Sequence, residues 1–501
     1  MPFRFFLTLA IAIASLLAIS EISADDFSTA SSWTTFNAAE NGVGTNPVGF
    51  HGAAFDGRYI YFVPFLRLEE QHGEVLRYDT QSEFDSVSSW SSFDPSSSGV
   101  GTRPKGFHGA VFDGQYVYFV PFNNGAGLNG EVLRYDTSGD FENASSWSTY
   151  DPGSNGVGVD PDGYHGAVFD GQYVYFVPFH NGTNEHGEFL RLNTQGSFSS
   201  ASSWEAYDPG ANGVGTDPDG YRGGVYDGQY IYFAPHHNGT SNHGEVLRYN
   251  TSGTFNSASS WSAYDPGANG VGFDPDGYHG AVFDGQYVYF VPYYDGIEQH
   301  GEVLRYDTSG DFASASSWVS FDPSKNGIGN DADGYHDAVY DGRYIYLAPY
   351  NNGSEQHGEV LRYDTEGSFT SASSWSTYDP GDNGVGNDPD GFNGVITDSI
   401  FIYFIPYFNG VEHDCEVLRF GVSSLSYICG DANASGEVDI DDIIYIVGYI
   451  FASGPEPNPM ESGDVNCSGF VDIDDVIFLI GYIFASGPWP CDTDGDGTPD
   501  C

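Results

Sequence analysis

The sequence predicts an all-β, seven-bladed β-propeller followed by a small helical domain. Three observations indicate this fold: a tryptophan every 57 residues, a proline with the same step, and four short runs of β-branched and aromatic residues in each repeat. The tryptophans are Trp33, Trp90, Trp147, Trp204, Trp261, Trp318 and Trp375. The prolines are Pro64, Pro121, Pro178, Pro235, Pro292, Pro349 and Pro406. Seven such units fill residues 25–423.

One repeat shows how the strands are predicted. Residues 164–169, 172–178, 188–192 and 203–207 are strand-like runs, separated by Asp-Gly, Asn-Gly and Ser-rich turns. The second run is apolar on both faces, as expected for a strand packed between neighbouring blades. The first run contains Gly166 and Ala167, which suit an innermost strand at a crowded axis.

The phase of the repeat predicts how the ring closes. The first tryptophan strand, residues 33–36, precedes any complete blade, and the last unit, residues 394–420, lacks a tryptophan strand. We therefore expect the N-terminal strand to complete blade seven, as propellers require a closed circle of sheets.

The repeat resembles the kelch type of propeller blade. The resemblance lies in the aromatic strand at residues 172–178, the strand end Tyr306-Asp307 and the tryptophan that follows. It covers all seven repeats and implies the propeller architecture only.

Composition and the first residues indicate an exported protein. The formal net charge is −55, which excludes binding to nucleic-acid phosphates and disfavours anionic membranes. Arg4, an apolar run at residues 5–19 and Ala24 form a secretory signal in residues 1–24, with cleavage expected after Ala24. No other segment is long and apolar enough for a membrane span, and we expect a soluble, monomeric, bacterial extracellular protein.

The loops before the first strand and after the second strand of each blade open on one face and carry the candidate ligand-binding residues. The positions nearest the axis are His51, His108, His165, Arg222, His279, His336 and Asn393. Three interpretations stay open: repeated turn residues, a face for a polar polymer such as a glycan, or a transition-metal site formed by neighbouring histidines. Arg222 and Asn393 depart from the histidine pattern. In blade two, Arg103 and Lys105 stand where later blades have an acidic loop. A functional site should be asymmetric, so Arg103, Lys105 and Arg222 are the first residues to test for ligand binding.

A glutamate and an arginine recur in every third strand, for example Glu188 and Arg191. Residues three apart on a strand face opposite ways. We interpret them as backbone anchors or interblade ion pairs, because a catalytic role repeated seven times is implausible.

Catalytic signatures are sparse. The chain has no Gly-x-Ser-x-Gly elbow and no repeated sialidase-type Asp-box, and Cys415 is the only propeller cysteine. We leave enzymatic activity open but favour none; an active propeller would be a polysaccharide lyase or an O-glycosyl hydrolase.

Two acidic loops 33 residues apart predict a calcium-binding domain in residues 424–490, because oxygen ligands at loop positions 1, 3, 5, 7, 9 and 12 suit Ca²⁺. The first loop provides Asp431, Asn433, Ser435, Glu437, Asp439 and Asp442. The second provides Asp464, Asn466, Ser468, Phe470 through its carbonyl, Asp472 and Asp475. An apolar helical run follows each loop.

This tandem pair resembles a type I dockerin, which implies two bound Ca²⁺ ions and a cohesin domain as partner. Aspartate at position 12 fits dockerins. The helix positions that carry recognition side chains in that family are small or apolar here, for example Val447, Gly448 and Ile480.

The tail, residues 491–501, resembles a thrombospondin-type-3 calcium repeat, with Asp492, Asp494 and Asp496 as ligands of a third ion. Four cysteines, Cys429, Cys467, Cys491 and Cys501, suggest disulfides in this small exported domain. With Cys415 the total is odd, and the pairing is left open.

Three functions follow as hypotheses. The first is a calcium-binding, non-catalytic binding or scaffold component of extracellular polysaccharide degradation. The second is a propeller lyase or glycoside hydrolase delivered by its dockerin. The third is a surface interaction protein of a salt-adapted bacterium, since few lysines and many acids also fit halophily.

Overall fold

The computed structural model describes residues 26–421, 429–433, 438–452, 454–455, 457, 460–466, 470–485, 487 and 490–491. The chain divides into two units, residues 1–422 and residues 423–501. The predicted signal, residues 1–24, lies outside the described residues.

The first unit is a seven-bladed β-propeller, which confirms the predicted fold, and each blade is a four-stranded antiparallel sheet. The inner strands are Phe50–Phe55, Phe107–Phe112, Tyr164–Phe169, Tyr221–Tyr226, Tyr278–Phe283, Tyr335–Tyr340 and Phe392–Thr397. The second strands are Tyr59–Pro64, Tyr116–Pro121, Tyr173–Pro178, Tyr230–Pro235, Tyr287–Pro292, Tyr344–Pro349 and Phe401–Pro406. Blade one adds a short hairpin, Leu66–Arg67 with Glu70–Gln71.

The third strand and the outer, fourth strand complete each sheet. The third strands are Val75–Asp79, Val132–Asp136, Phe189–Asn193, Val246–Asn250, Val303–Asp307, Val360–Asp364 and Glu416–Gly421. The outer strands of blades one to six are Trp90–Phe93, Trp147–Tyr150, Trp204–Tyr207, Trp261–Tyr264, Trp318–Phe321 and Trp375–Tyr378.

The same contacts hold each blade together. Apolar residues of the second strands are almost wholly buried between neighbouring blades, which explains why these strands are apolar on both faces. A single 3₁₀ turn precedes every outer strand, for example Ala144–Ser146. It places the tryptophan so that its indole N–H donates to a backbone carbonyl six residues earlier, as Trp147 does to Phe141 at 2.9 Å.

The N-terminal strand closes the ring, as the repeat phase predicts. Trp33–Asn37 pairs antiparallel with Glu416–Gly421, placing Thr34 opposite Arg419. Trp33 is 3% exposed and stacks on Tyr378 of blade six, with ring centroids 5.8 Å apart. Blade seven therefore takes its outer strand from the other end of the propeller.

The repeated arginines join neighbouring blades through aromatic rings rather than carboxylates. Arg248 of blade four lies 4.2 Å from the ring of Tyr230 in its own blade and 4.1 Å from Phe312 in the next. Arg362 makes the corresponding contact with Phe27, which belongs to the closing segment. Each arginine is thus a cation–π link between two blades.

The repeated glutamates anchor the backbone. The Glu188 carboxylate accepts hydrogen bonds from the amides of Val159 and Asp160 at 2.9 and 3.0 Å. Those amides belong to the connection that enters the inner strand of the same blade. The equivalent carboxylate fixes this connection in every blade.

The described residues of the second unit include the α-helices α1 (Ile440–Ala452) and α2 (Ile473–Ala485). Its buried centre comprises Ala432, Ile446, Val465, Val476 and Leu479. Cys429 and Cys491 are both disulfide-bonded, whereas Cys415 of the propeller is a free, buried thiol. Neither of these described helices has the length and apolarity needed to span a bilayer.

We predict that Arg248→Met lowers the free energy of unfolding by about 1–2 kcal/mol, because two partly buried cation–π contacts and a hydrogen bond to Ser262 are lost while the apolar stem is kept. Arg103→Met is the matched control, since Arg103 is an exposed arginine of blade two; its expected change is within about 0.5 kcal/mol. Chemical denaturation followed by tryptophan fluorescence measures both. Equal midpoints for the two variants would contradict the interblade role.

Candidate functional site

The start of each inner strand places one polar side chain beside the propeller axis. The five histidines among these residues, His51, His108, His165, His279 and His336, are only 4–7% exposed, and Asn393 is 5% exposed. Together with Arg222 and Asp337 they line a cavity of about 220 Å³ on the axis. The predicted axial residues therefore meet, but in the interior of the channel rather than on an open face.

The imidazoles contact one another across the axis. His51 stacks on His108 with ring centroids 3.9 Å apart, and His279 stacks on His336 at 3.8 Å. His165 lies edge-on to His108 and His279 at 4.7 and 4.9 Å. Residues of five blades thus form one imidazole cluster, defined as these five histidines.

The backbone of blades one to three brings three of these histidines closest together. The glycine after the histidine has a φ of +85° at Gly52, +95° at Gly109 and +85° at Gly166. The equivalent residues of the other four blades are not in this left-handed region. Nitrogen atoms of His51, His108 and His165 all lie within 4.8 Å of one another. Only glycine adopts this conformation at little cost, so the local sequence permits the arrangement.

Hydrogen bonds fix the tautomer of three imidazoles. His165 donates its Nδ1–H to the carbonyl of Arg222 at 2.7 Å, and His279 makes the same bond to the carbonyl of His336 at 2.7 Å. His336 donates Nδ1–H to Oδ1 of Asn393. In the neutral imidazole the Nε2 atom then carries a lone pair. The Nε2 atoms of His279 and His336 and both ring nitrogens of His108 are buried without a hydrogen-bond partner.

Burial keeps the cluster neutral. It lowers the pKa of His51 to about 3, and the positive charge of Arg222 adds to the shift. Burial also lowers the pKa of Arg222 to about 10. The guanidinium lies 4.7 Å from the ring of Phe179, and its Nε is buried without a hydrogen-bond partner.

The structure does not bring all the predicted ligand residues together. Arg103 is exposed and Lys105 is partly exposed on the connection that enters blade two, where the Arg103 amide donates to Glu131. Neither lines the axial cavity, whereas Arg222 does. The three basic residues that the sequence analysis grouped together therefore lie in two separate places.

A closed ring of aromatic side chains surrounds the cluster, and the sequence analysis missed it. Consecutive centroids are 5.9–6.2 Å apart around the whole circle. We call this ring the collar; its members are Phe65, Phe122, Phe179, His236, Tyr293, Tyr350 and Tyr407. Each directly follows one of the periodic prolines, which is the signal that would have revealed it. Six of the seven side chains are half-buried.

The collar contacts the imidazole cluster and differs from side to side. His108 stacks on Phe122 at 3.8 Å, and His336 stacks on Tyr350 at 3.9 Å. Blades one to three contribute phenylalanine, and blades five to seven contribute tyrosine. One half of the ring is thus apolar, and the other half carries hydroxyl groups.

Asp337 is a second residue that the sequence analysis missed. It occupies the position that is glycine in the other six blades, and it lines the axial cavity. Burial raises its pKa to about 6, while its Oδ1 accepts a hydrogen bond from the amide of Ala338. It is the only carboxylate among the described residues that line this cavity.

Partly buried aspartates occur in the connections that enter blades three to seven. Burial and neighbouring carboxylates raise the pKa of Asp162 to about 6 and that of Asp219 to about 7. A histidine shortly before the third strand bonds to such a connection: His243 donates Nε2–H to the carbonyl of Asp219 at 3.1 Å. This bond fixes the connection that enters blade four.

The described residues of the two predicted calcium loops have the same hydrogen bonds in both copies. Asp442 accepts from the amides of Asn433 and Asp439 at 3.2 and 2.8 Å. Asp475 accepts from Asn466 and Asp472 at 3.2 and 2.7 Å. Ser435, Glu437, Ser468, Asp492, Asp494 and Asp496 lie outside the described residues.

An orphaned oxygen indicates that a cation fits the first loop. Asp442 is 0% exposed, and burial raises its pKa with a further contribution from Asp431. Oδ1 of Asn433 is buried without a hydrogen-bond partner. A buried carboxylate beside a second acidic residue and an amide oxygen without a partner is an environment that suits a hard cation such as Ca²⁺.

In comparisons with known proteins, this chain matches no protein-family model and no curated protein.

We predict that Asp219→Asn stabilises the propeller at alkaline pH. The raised pKa means that the favourable contribution of Asp219 is complete below pH 3.8 and is lost as the pH rises through about 7. Asparagine imitates the protonated group at every pH. With screening by solvent, we expect a gain of about 1 kcal/mol at about pH 8.5 and less than about half of that at about pH 5.

Denaturation at both pH values in the presence of a chelator measures this difference. Glu142→Gln, an exposed site, controls for the loss of one negative charge. A gain that is equal at the two pH values, or equal in the control, would contradict the prediction.

Proposed function

We propose that this protein is an exported, calcium-binding, kelch-like propeller that binds a neutral polysaccharide at its collar and acts as a non-catalytic component of extracellular polysaccharide degradation. The observation that carries the proposal is the collar, in which seven aromatic side chains form a closed, half-buried circle around the channel. Such a ring offers stacking surface in every direction around the axis.

The two halves of the collar match the two kinds of surface on a sugar. Pyranose rings have an apolar C–H face, which packs on aromatic rings such as Phe65 and Phe122, and polar hydroxyl edges. Tyr293, Tyr350 and Tyr407 present hydroxyl groups on the other half. Aspartates such as Asp219 in the surrounding connections are acceptors for further hydroxyls.

The net charge of the protein determines which class of polysaccharide it favours. With a net charge of −55 the protein repels polyanions, so neutral chains are favoured over uronate-containing ones. A lyase acts on uronates, which makes this activity the weaker alternative. A glycoside hydrolase requires a pair of carboxyl groups, and the described lining of the axial cavity has Asp337 alone.

We predict that a neutral polysaccharide binds at the collar and that Tyr350→Ala and Phe122→Ala each weaken binding at least about tenfold, since one stacked ring contributes roughly 1.4 kcal/mol. Tyr340→Ala is the matched control, because Tyr340 is in blade six at the other end of the inner strand. Titration calorimetry with soluble glucans, xylans and mannans, and with polygalacturonate as the anionic comparison, measures affinity.

Equal binding by all variants, or a preference for polygalacturonate, would contradict the collar as the binding site. Release of reducing ends from the same polysaccharides would favour the hydrolase alternative.

For the second unit we propose a dockerin-like role, with two Ca²⁺ ions held by the tandem loops and a cohesin-type partner. The helices support a docking surface. Ile444, Val447 and Phe451 on α1 are 62%, 37% and 67% exposed, at a spacing that puts them on one face. Ile477, Ile480 and Phe484 occupy the equivalent positions of α2 and are 60%, 44% and 64% exposed. Exposed apolar stripes of this kind mark interaction surfaces.

We predict two calcium ions per chain in the tandem loops. Asp442→Asn and Asp475→Asn should each weaken one site at least about tenfold, because each removes a buried anionic ligand of a hard cation. Asp474→Asn is the control, since Asp474 adjoins Asp475 but is exposed and outside the ligand pattern. Calorimetric titration of the full chain measures the stoichiometry, and unchanged titrations in the first two variants would exclude these loops.

A further inference from the structure

We propose that His51, His108 and His165 bind one divalent transition-metal ion of the zinc class on the propeller axis. This site is distinct from the predicted calcium loops and adjoins the collar, where His108 stacks on Phe122. The geometry points to it because three histidines from three consecutive blades converge there: their nitrogen atoms lie within 4.8 Å of one another, and all three residues are at most 7% exposed.

A hydrogen bond orients one of the three ligands as metal sites require. His165 donates Nδ1–H to a backbone carbonyl, which leaves its Nε2 as a lone-pair donor. Both nitrogens of His108 are buried without a partner. A buried polar group without a partner is costly, and coordination of one nitrogen would satisfy part of that requirement.

Metal binding requires the three nitrogens to approach and the rings to tilt. Nitrogens bound tetrahedrally at about 2.1 Å lie about 3.4 Å apart, so nitrogens that are now up to 4.8 Å apart must approach by up to about 1.4 Å. The rings of His51 and His108, which stack at 3.9 Å, must tilt apart so that their in-plane lone pairs converge. The left-handed glycines Gly52, Gly109 and Gly166 directly follow the ligands and have no side chains that could block this movement. Three protein ligands leave a fourth position open, and the axial cavity of about 220 Å³ has room for a water molecule or another small ligand there.

Arg222 is the group that opposes the ion. Its charge acts on all three ligand histidines. Like charges repel strongly in a buried site, so Arg222 should weaken metal binding. Arg222→Met, which retains the apolar stem against Phe179, should therefore raise the affinity. A histidine cluster that only fills space would not respond in this way.

Titration of the tag-free full chain with Co²⁺, in saturating Ca²⁺ to occupy carboxylate sites, tests the proposal. We expect one ion per chain with the visible d–d bands of four-coordinate cobalt, displaced by Zn²⁺. His108→Gln and His51→Gln should each lower the affinity at least about 100-fold, and Arg222→Met should raise it roughly tenfold. His186→Gln, a buried histidine outside the cluster, is the control and should have no effect.

Circular dichroism identifies folded variants, and two ligand variants are used so that misfolding of one does not decide the outcome. Absence of binding in both the wild-type chain and Arg222→Met would overturn the proposal. Binding that persists in His108→Gln and His51→Gln would also overturn it, because the ion would then lie elsewhere. Binding lost equally in His186→Gln would do the same.

Discussion

Closure of the ring is the constraint on which the rest of this structure depends. The second strands are apolar on both faces and are buried only because each blade has a neighbour on either side. The pairing of Trp33–Asn37 with Glu416–Gly421 supplies the last missing sheet edge. The guanidinium of Arg362 in blade six lies over the ring of Phe27, so the kind of link that joins the other blades also joins the first residues of the propeller to blade six.

The same closure creates the axial site. The seven inner strands converge on the axis. The side chains near the start of each strand must therefore share a narrow space. Blades one to three place left-handed glycines there and bring three histidines together. Asp337, with a side chain where the other blades have glycine, makes blade six different. Small departures from sevenfold symmetry therefore define where the site is.

Much of the fold could be predicted from sequence because its determinants are periodic. The spacing of Trp33 and its six counterparts predicts the number of blades, and the position of Trp33 before the first blade predicts the closing strand. The recurrence of Glu188 predicts a structural role, but it leaves open whether that role is a backbone anchor or an interblade ion pair. The cation–π links of the arginines could not be predicted, since the aromatic partner is 64 residues away in the chain, as with Arg248 and Phe312.

The candidate site was predicted less completely. The sequence places His51 and its counterparts near the axis, but their burial depends on backbone angles at Gly52 and its neighbours, which composition does not reveal. The collar follows the periodic prolines, yet its rings meet only when second strands from all blades converge. Asp337 was missed because a single exception within a repeat is informative only once its position is known to face the cavity.

The pairing of Trp33–Asn37 with Glu416–Gly421, which forms the seam of the ring, has a consequence for the connectivity of the chain. The hydrogen bonds there are of the same antiparallel kind as those between covalently consecutive strands elsewhere in the wheel. The geometry of the propeller therefore does not require its chain to begin at this strand. Circularly permuted versions, opened at another turn and spliced across this seam, would preserve every blade and every interface.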